Sequence, residues 1–117
     1  MADALVLYGL KTCDTCRKAQ KALEAAGRAP TFHDVRADGV SKAQLQEWAK
    51  AVGWETLLNT RSTTWRGLDE AAKADIDDAK AIALMLEHPT LIKRPVIESA
   101  DGVSVGWSKA MQERFVA

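Results

Sequence analysis

Residues 4–26 read ALVLYGLKTCDTCRKAQKALEAA, and this stretch decides the fold. Its first five residues form an apolar run, which is typical of a buried strand. Later residues repeat at a spacing that makes one helical face, and they are Cys16, Ala19, Ala22, Leu23 and Ala26. A strand and a helix therefore flank the loop that carries Cys13-Asp14-Thr15-Cys16, the context in which Cys-x-x-Cys indicates redox chemistry.

The rest of the chain extends this pattern. Gly27 is placed to end the helix, and a second strand-like run follows at residues 31–35. Strand, helix and strand in this order predict a parallel pair. Asp101-Gly102, between two further strand-like runs, predicts a hairpin, and Ser108 can cap a last helix.

Residues between these two halves are predicted to be mostly helical. Ser41 begins a capping box, and residues 78–87 form a second clear helix, with Ala79, Ile82, Ala83 and Leu86 expected to face inward. The polar segment 59–66 has no clear period and is expected to be a loop. The sequence thus predicts a single α/β domain, residues 1–117, in the order β-α-β, helices, β-β-α, with a helical insertion at about residues 41–88.

Bulk composition restricts the classes of function. Sixteen basic and sixteen acidic residues in 117 give a net charge of zero, which argues against a dedicated nucleic-acid binder. Apolar runs are too short for a membrane span, and the N-terminus lacks the basic and apolar regions of a signal peptide. Two closely spaced cysteines without such a signal favour a reducing cytoplasm.

The two cysteines are expected to differ in role. A thiol reacts as the thiolate, and a helix N-terminus stabilises an anion, which favours Cys13 as the nucleophile. Lys11, Arg17 and Lys18 add positive charge nearby. Cys16 lies one turn into the helix, where resolving a disulfide and simple packing both remain open.

A zinc site is the main alternative for Cys-x-x-Cys. It would need two further ligands, and only His33 and His88 supply imidazoles. Neither has the usual paired spacing, so no metal is expected.

Arg61 also allows two interpretations. It is either a solvated surface charge, the usual state of an arginine, or a residue that binds anions. A guanidinium suits the second role because it binds carboxylates and oxyanions through a planar fork of donors.

Three segments together resemble the ArsC/Spx family, most closely its YffB-type ArsC-like reductases. They are residues 8–19 (YGLKTCDTCRKA), 53–66 (GWETLLNTRSTTWR) and 92–95 (IKRP). The resemblance implies a thioredoxin-like fold with a helical insertion, Cys13 as the catalytic thiolate, and a cis bond before Pro95. It also implies that substrate or glutathione is bound by a set of residues comprising Lys11, Thr12, Arg61, Arg94 and Pro95.

Two positions depart from the glutaredoxin-coupled arsenate reductases of this family. Those proteins carry a histidine four residues before the catalytic cysteine, where this chain has Gly9, and a third arginine after the hairpin, where it has Trp107. Losing one cation of three weakens oxyanion binding. The expected function is therefore a glutathione-dependent thiol or disulfide reductase.

Arsenate reduction coupled to glutaredoxin and an Spx-type redox-sensing regulator that binds RNA polymerase are the alternatives. The resemblance implies no bound cofactor, glutathione as co-substrate and glutaredoxin as a second candidate partner. We expect a cytoplasmic monomer that binds neither nucleic acid nor membrane.

Overall fold

A computed structural model describes residues 5–28, 30–99 and 102–116. The described helices and strands are, in chain order, β1 (Val6–Gly9), α1 (Asp14–Ala25), β2 (Thr31–Asp34), α2 (Lys42–Val52), α3 (Trp54–Leu57), α4 (Thr63–Arg66), α5 (Glu70–Lys73), α6 (Asp78–Glu87), a 3-10 helix (Pro89–Leu91), β3 (Val96–Ser99), β4 (Gly102–Val105) and α7 (Lys109–Val116). They divide into two compact units. The sheet unit contains the described residues up to Asp38 and from Arg94 onwards, and the helical unit is Gly39–Lys93.

The sheet unit is built on one four-stranded sheet in the order β2-β1-β3-β4. β1 pairs with β2 in parallel, as predicted, and β3 is antiparallel to both β1 and β4. Together with α1 and α7, this is the thioredoxin-like arrangement that the resemblance implied. The β3–β4 pairing confirms the hairpin, whereas Asp101 of its turn lies outside the described residues, as does Ala4 of the predicted first strand.

One face of this sheet forms a core with α1 and α7. Leu7 of β1 is level with Ile97 of β3, and both are fully buried. α1 contributes Cys16, Ala19 and Leu23 to this cluster, as its spacing predicted, and α7 contributes Phe115. Ala26, predicted on the same face, is exposed because α1 ends at Ala25. Cys16 is thus part of the core as well as part of the Cys-x-x-Cys loop.

The helical unit begins with the predicted capping box. The Gln44 N–H donates to Ser41 Oγ at 3.1 Å, and the Ser41 N–H donates to Gln44 Oε1 at 3.0 Å. α2 buries Trp48 and ends at Gly53, whose φ of 88° lies in the left-handed region that glycine tolerates. No helix in the described part of the chain has the length and apolar character that crossing a membrane requires.

Two predictions for the helical unit were wrong. The segment 59–66 is not all loop, because Ser62 caps the short helix α4 by accepting from the Trp65 N–H at 3.1 Å. One helical turn is too short to show a period in sequence. α6 has the predicted bounds, and Ile82 is buried as predicted, but the other buried residues are Ala81, Leu84 and Met85. Ala79 and Ala83 are exposed, and apolar residues all round α6 explain why spacing could not choose between the faces.

Ser104 on β4 gives a test of the sheet core. It is only 4% exposed and is level with Ile97, and its hydroxyl has no hydrogen-bond partner among the described residues. An unpaired buried hydroxyl costs stability, so Ser104→Ala should raise the free energy of unfolding by up to about 1 kcal/mol. Urea denaturation measures this change, provided that the slope is unaltered.

Ser41→Ala is the control for this prediction. It removes a serine hydroxyl that does have a partner, and it should lower the free energy of unfolding by about 1 kcal/mol. A Ser104→Ala protein that loses as much stability as Ser41→Ala would show that the Ser104 hydroxyl is satisfied.

Candidate active site

The cysteine loop connects the end of β1 to the start of α1. The Cys13 N–H donates to the Leu10 carbonyl at 3.0 Å and closes a tight turn. Cys13 is the N-cap of α1, in an extended conformation, and its side chain makes no capping hydrogen bond. The first backbone N–H groups of α1 therefore receive no cap from Cys13 and are available to a negative charge near its sulfur.

Cys16 is a buried, protonated partner for Cys13. It is fully buried, and burial is the main cause that raises its thiol pKa to about 12. A hydrogen bond with Cys13 and the charge of Cys13 also raise this pKa. A hydrogen bond from the Leu10 backbone and the charge of Arg94 lower it, but by less. At neutral pH the Cys16 thiol therefore keeps its proton. This asymmetry favours Cys13, which is partly exposed, as the nucleophile.

Gly9 makes room for the Cys16 sulfur. A Cβ placed on Gly9 would lie 2.5 Å from Cys16 Sγ and 3.1 Å from Cys16 Cβ. Gly9 does not have a positive φ, so its backbone does not require glycine. Any larger residue here, including the histidine that the resemblance expects, would collide with the buried thiol.

Asp34, at the end of β2, is a site residue that the sequence did not reveal. Parallel pairing places it level with Gly9, and its carboxylate accepts the Lys11 N–H at 3.1 Å. Its pKa is lowered, first by the hydrogen bond from the Ala37 N–H and then by those from Lys11 and Arg36, which outweigh its burial. The available signal was an acidic residue at the carboxyl end of a strand predicted to pair with β1.

The remaining predicted residues of the sheet unit lie on two segments. Lys11 and Thr12 are exposed on the cysteine loop. Arg94 is half-buried, and its charge reaches the Cys16 thiol. The Arg94–Pro95 bond is cis, as the resemblance implied, and Pro95 is buried. The sheet unit therefore contains these four residues together with the cysteine pair.

Arg61 belongs to the helical unit. Its backbone N–H donates to Asn59 Oδ1 at 3.0 Å, and the Asn59 N–H donates to the Leu91 carbonyl at 2.7 Å. These bonds fix the turn, while the Arg61 side chain is exposed and forms no ion pair with the described residues. A role for Arg61 in binding substrate stays a prediction.

The described residues include no group of three or more histidine, cysteine or acidic side chains that could hold a metal ion. The two histidines considered as zinc ligands have other neighbours. The ring of His33 lies 5.0 Å from that of Tyr8, and His88 Nε2 lies 3.9 Å from a carboxylate oxygen of Glu87.

Comparison with known proteins identifies the family. The model of the ArsC family matches residues 8–115. This chain belongs to the ArsC family. The solved structure of a YffB protein is 46% identical, with a TM-score of 0.91 over 97% of this chain and 100% of that one. An arsenate reductase (ArsC) related protein from Brucella melitensis is 40% identical, with a TM-score of 0.77 over 96% of this chain and 93% of that one.

Regulators named Spx are also similar to this ArsC-family chain. The global transcriptional regulator Spx 1 of Oceanobacillus iheyensis is 26% identical over 117 residues, which cover 96% of this chain and 86% of the regulator. This chain is thus similar both to a protein described as arsenate reductase related and to proteins named as regulators.

Selective alkylation tests the asymmetry of the cysteine pair. Iodoacetamide at neutral pH should modify Cys13 and leave Cys16 unmodified in the folded protein, because Cys16 is buried and its pKa of about 12 leaves little thiolate. Modification of Cys16 should increase as the pH rises toward that pKa. Peptide mass spectrometry measures both sites, and equal labelling at neutral pH would contradict the assignment.

Gly9→Ala tests the space under the Cys16 sulfur. The new methyl group forces Cys16 or the backbone to move, so the free energy of unfolding should fall by about 1–3 kcal/mol. Gly67→Ala is the matched control, since its Cβ would meet only ordinary contacts of 3.5 and 3.6 Å at a normal φ. Equal stability of the two variants in urea denaturation would show that Gly9 is not needed for packing.

Proposed function

We propose that this chain is a glutathione-dependent thiol-disulfide reductase in which the Cys13 thiolate is the nucleophile. The observation that carries the proposal is the unequal thiol pair. A partly exposed Cys13 lies at a helix start that its side chain does not cap, and one turn further on lies the buried Cys16, whose pKa is raised by burial. Thiol–disulfide exchange needs a reactive thiolate that attacks the disulfide and a second thiol that resolves the adduct, and here either Cys16 or glutathione can supply the second thiol.

The first step is attack of Cys13 on a mixed disulfide with glutathione. The Cys13 sulfur bonds to the glutathione sulfur, the substrate sulfur leaves as a thiolate, and that thiolate takes a proton from water. Free glutathione then attacks the glutathione sulfur of the adduct. This second exchange yields glutathione disulfide and regenerates the Cys13 thiolate.

Cys16 offers a second way to resolve the adduct. Its thiol loses a proton to the departing glutathione thiolate, and its sulfur bonds to Cys13. Two molecules of glutathione then reduce the internal disulfide and leave as glutathione disulfide. The high pKa of Cys16 makes it a slow attacker until its proton is removed, so the two routes compete.

The charges of the site support an anionic thiol as co-substrate. Lys11 and Thr12 are exposed next to Cys13, and the positive charge of Arg94 acts to lower the pKa of the Cys16 thiol. Glutathione carries two carboxylates, which ammonium, hydroxyl and guanidinium groups bind well. Pro95 belongs to the same proposed binding set, and Arg61 of the helical unit is a separate candidate for binding substrate. The protein would act in a reducing cytoplasm as a monomer, with glutaredoxin as a candidate partner.

Two other functions are candidates because the names of similar proteins describe them. Similarity to an arsenate reductase related protein favours arsenate reduction. However, this chain has Gly9 and Trp107 at the two positions where the arsenate reductases of the resemblance carry a histidine and a third arginine, and neither residue supplies a cation for an oxyanion. Similarity to Spx 1 favours a transcriptional regulator. The sequence resemblance implies that such a regulator would use the cysteine pair as a redox switch and bind RNA polymerase. Neither alternative explains the exposed cationic loop beside Cys13 as simply as glutathione does.

A turnover assay tests the proposed function. The protein should reduce the mixed disulfide of glutathione and mercaptoethanol when glutathione, glutathione reductase and NADPH are present. Cys13→Ser should fall to the uncatalysed rate, because a hydroxyl does not replace the thiolate. Cys16→Ala separates the routes, since an active variant assigns resolution to glutathione and an inactive one assigns it to Cys16.

Mass spectrometry and two parallel assays complete this experiment. After treatment with glutathione disulfide, the wild-type protein should carry an internal disulfide or a Cys13 adduct, and Cys16→Ala only the adduct. A wild-type protein without turnover refutes the proposal. Arsenate reduction coupled to glutaredoxin, or co-purification of RNA polymerase, would then identify which alternative applies.

A further inference from the structure

The two oxygens of the Asp34 carboxylate serve different parts of the chain. Oδ1 accepts the N–H groups of Arg36 and Ala37 at 2.9 and 2.8 Å, which shapes the local turn after β2. Oδ2 accepts the Lys11 N–H at 3.1 Å, which ties this turn to the cysteine loop. Asp34 is only 7% exposed, so water competes little for these bonds.

The bond to Lys11 acts on the segment that ends in Cys13. Lys11 is the second residue of the turn that the Cys13 N–H closes on the Leu10 carbonyl. A turn with one closing bond can shift against the strand that leads into it, whereas an anchor from the neighbouring strand fixes it. A reactive group on a loop works best when a rigid element positions it.

We propose that Asp34 is a positioning residue for thiol–disulfide exchange, holding the Lys11 peptide so that the Cys13 sulfur stays at the start of α1 beside Cys16. Asp34 acts through the backbone of the loop and touches no substrate. The proposal rests on the proposed function only in taking Cys13 as the reacting thiol.

Negative charge is part of this arrangement. Three N–H donors converge on two oxygens, and only an ionised carboxylate offers acceptors on both sides. Hydrogen bonds to an ionised acceptor are stronger than neutral ones. The charged form of Asp34 therefore holds the loop more firmly than an amide or a protonated acid would.

Asp34→Asn separates the two roles. An asparagine can keep its carbonyl oxygen toward Arg36 and Ala37, a local turn that its side chain favours. Its amide NH₂ group then faces the Lys11 N–H. Because both groups are hydrogen-bond donors, the bond that ties the cysteine loop to residue 34 is lost. Asp77→Asn is the matched control, because Asp77 makes the same kind of side-chain bond, to the Lys80 N–H at 2.9 Å, far along the chain at the start of α6.

The measurement is the rate at which Cys13 is captured by the mixed disulfide of glutathione and thionitrobenzoate. Cys16→Ala serves as the background, so that one thiol reacts. The Cys13 thiolate bonds to the glutathione sulfur, and thionitrobenzoate leaves as a coloured thiolate. We expect Asp34→Asn to slow capture by about 10- to 100-fold, the cost of a misplaced reacting group, and Asp77→Asn to stay within about twofold.

Amide hydrogen exchange shows whether the loss is local. In folded Asp34→Asn, the Lys11 amide should exchange faster, while the amides of Arg36 and Ala37 keep their protection. Capture at the unmodified rate together with fast exchange at Lys11 would overturn the proposal, because the anchor would then be lost without consequence for Cys13.

Lys11→Pro covers the case in which Asp34→Asn does not fold. Proline lacks the N–H and suits the second position of a turn, whereas Lys11→Ala keeps the N–H and loses only the ammonium group. Slower capture in Lys11→Pro than in Lys11→Ala supports the anchor, and equal rates overturn it. Capture needs no turnover, so absence of glutathione-dependent reduction would refute the proposed function and leave this comparison intact.

Discussion

Burial of the Cys16 sulfur against the backbone of Gly9 is the constraint on which the site depends. Burial in the core raises the pKa of the Cys16 thiol, so that it keeps its proton at neutral pH. The same burial fixes the first turn of α1 to the sheet, because Cys16 packs with Leu7 and Ile97. The Cys16 sulfur therefore contributes both to the packing of the core and to the chemistry of the cysteine pair, and a substitution that moves this sulfur changes both.

The end of the β1–β2 pair supplies the second fixed point. Parallel strands end at the same edge of the sheet, which brings Asp34 level with Gly9. From there the carboxylate reaches the Lys11 peptide, so the loop is held from β2 as well as from α1. The cysteine loop is thus irregular in conformation but anchored on both sides by regular elements.

Local patterns were enough to predict most of the sheet unit and the cysteine pair. The strand, loop and helix around Cys13, the Ser41 capping box and the hairpin each depend on residues close in sequence. Asp34 and Gly9 could not be predicted in their roles, because each acts on a residue from another element. The buried face of α6 was missed because its apolar residues surround the helix, so the packing partner decides.

Helix capping in this chain carries a further consequence. α2 and α6 have side-chain caps from Ser41 and Asp77, and the Ser108 hydroxyl accepts the Met111 N–H at the start of α7. Among the described helices of eight or more residues, α1 alone has no such cap from its own chain. An anion or a glutathione adduct at Cys13 would act as the missing cap and reduce fraying of the first turn. Occupancy of the site and order of the first turn of α1 would then be linked.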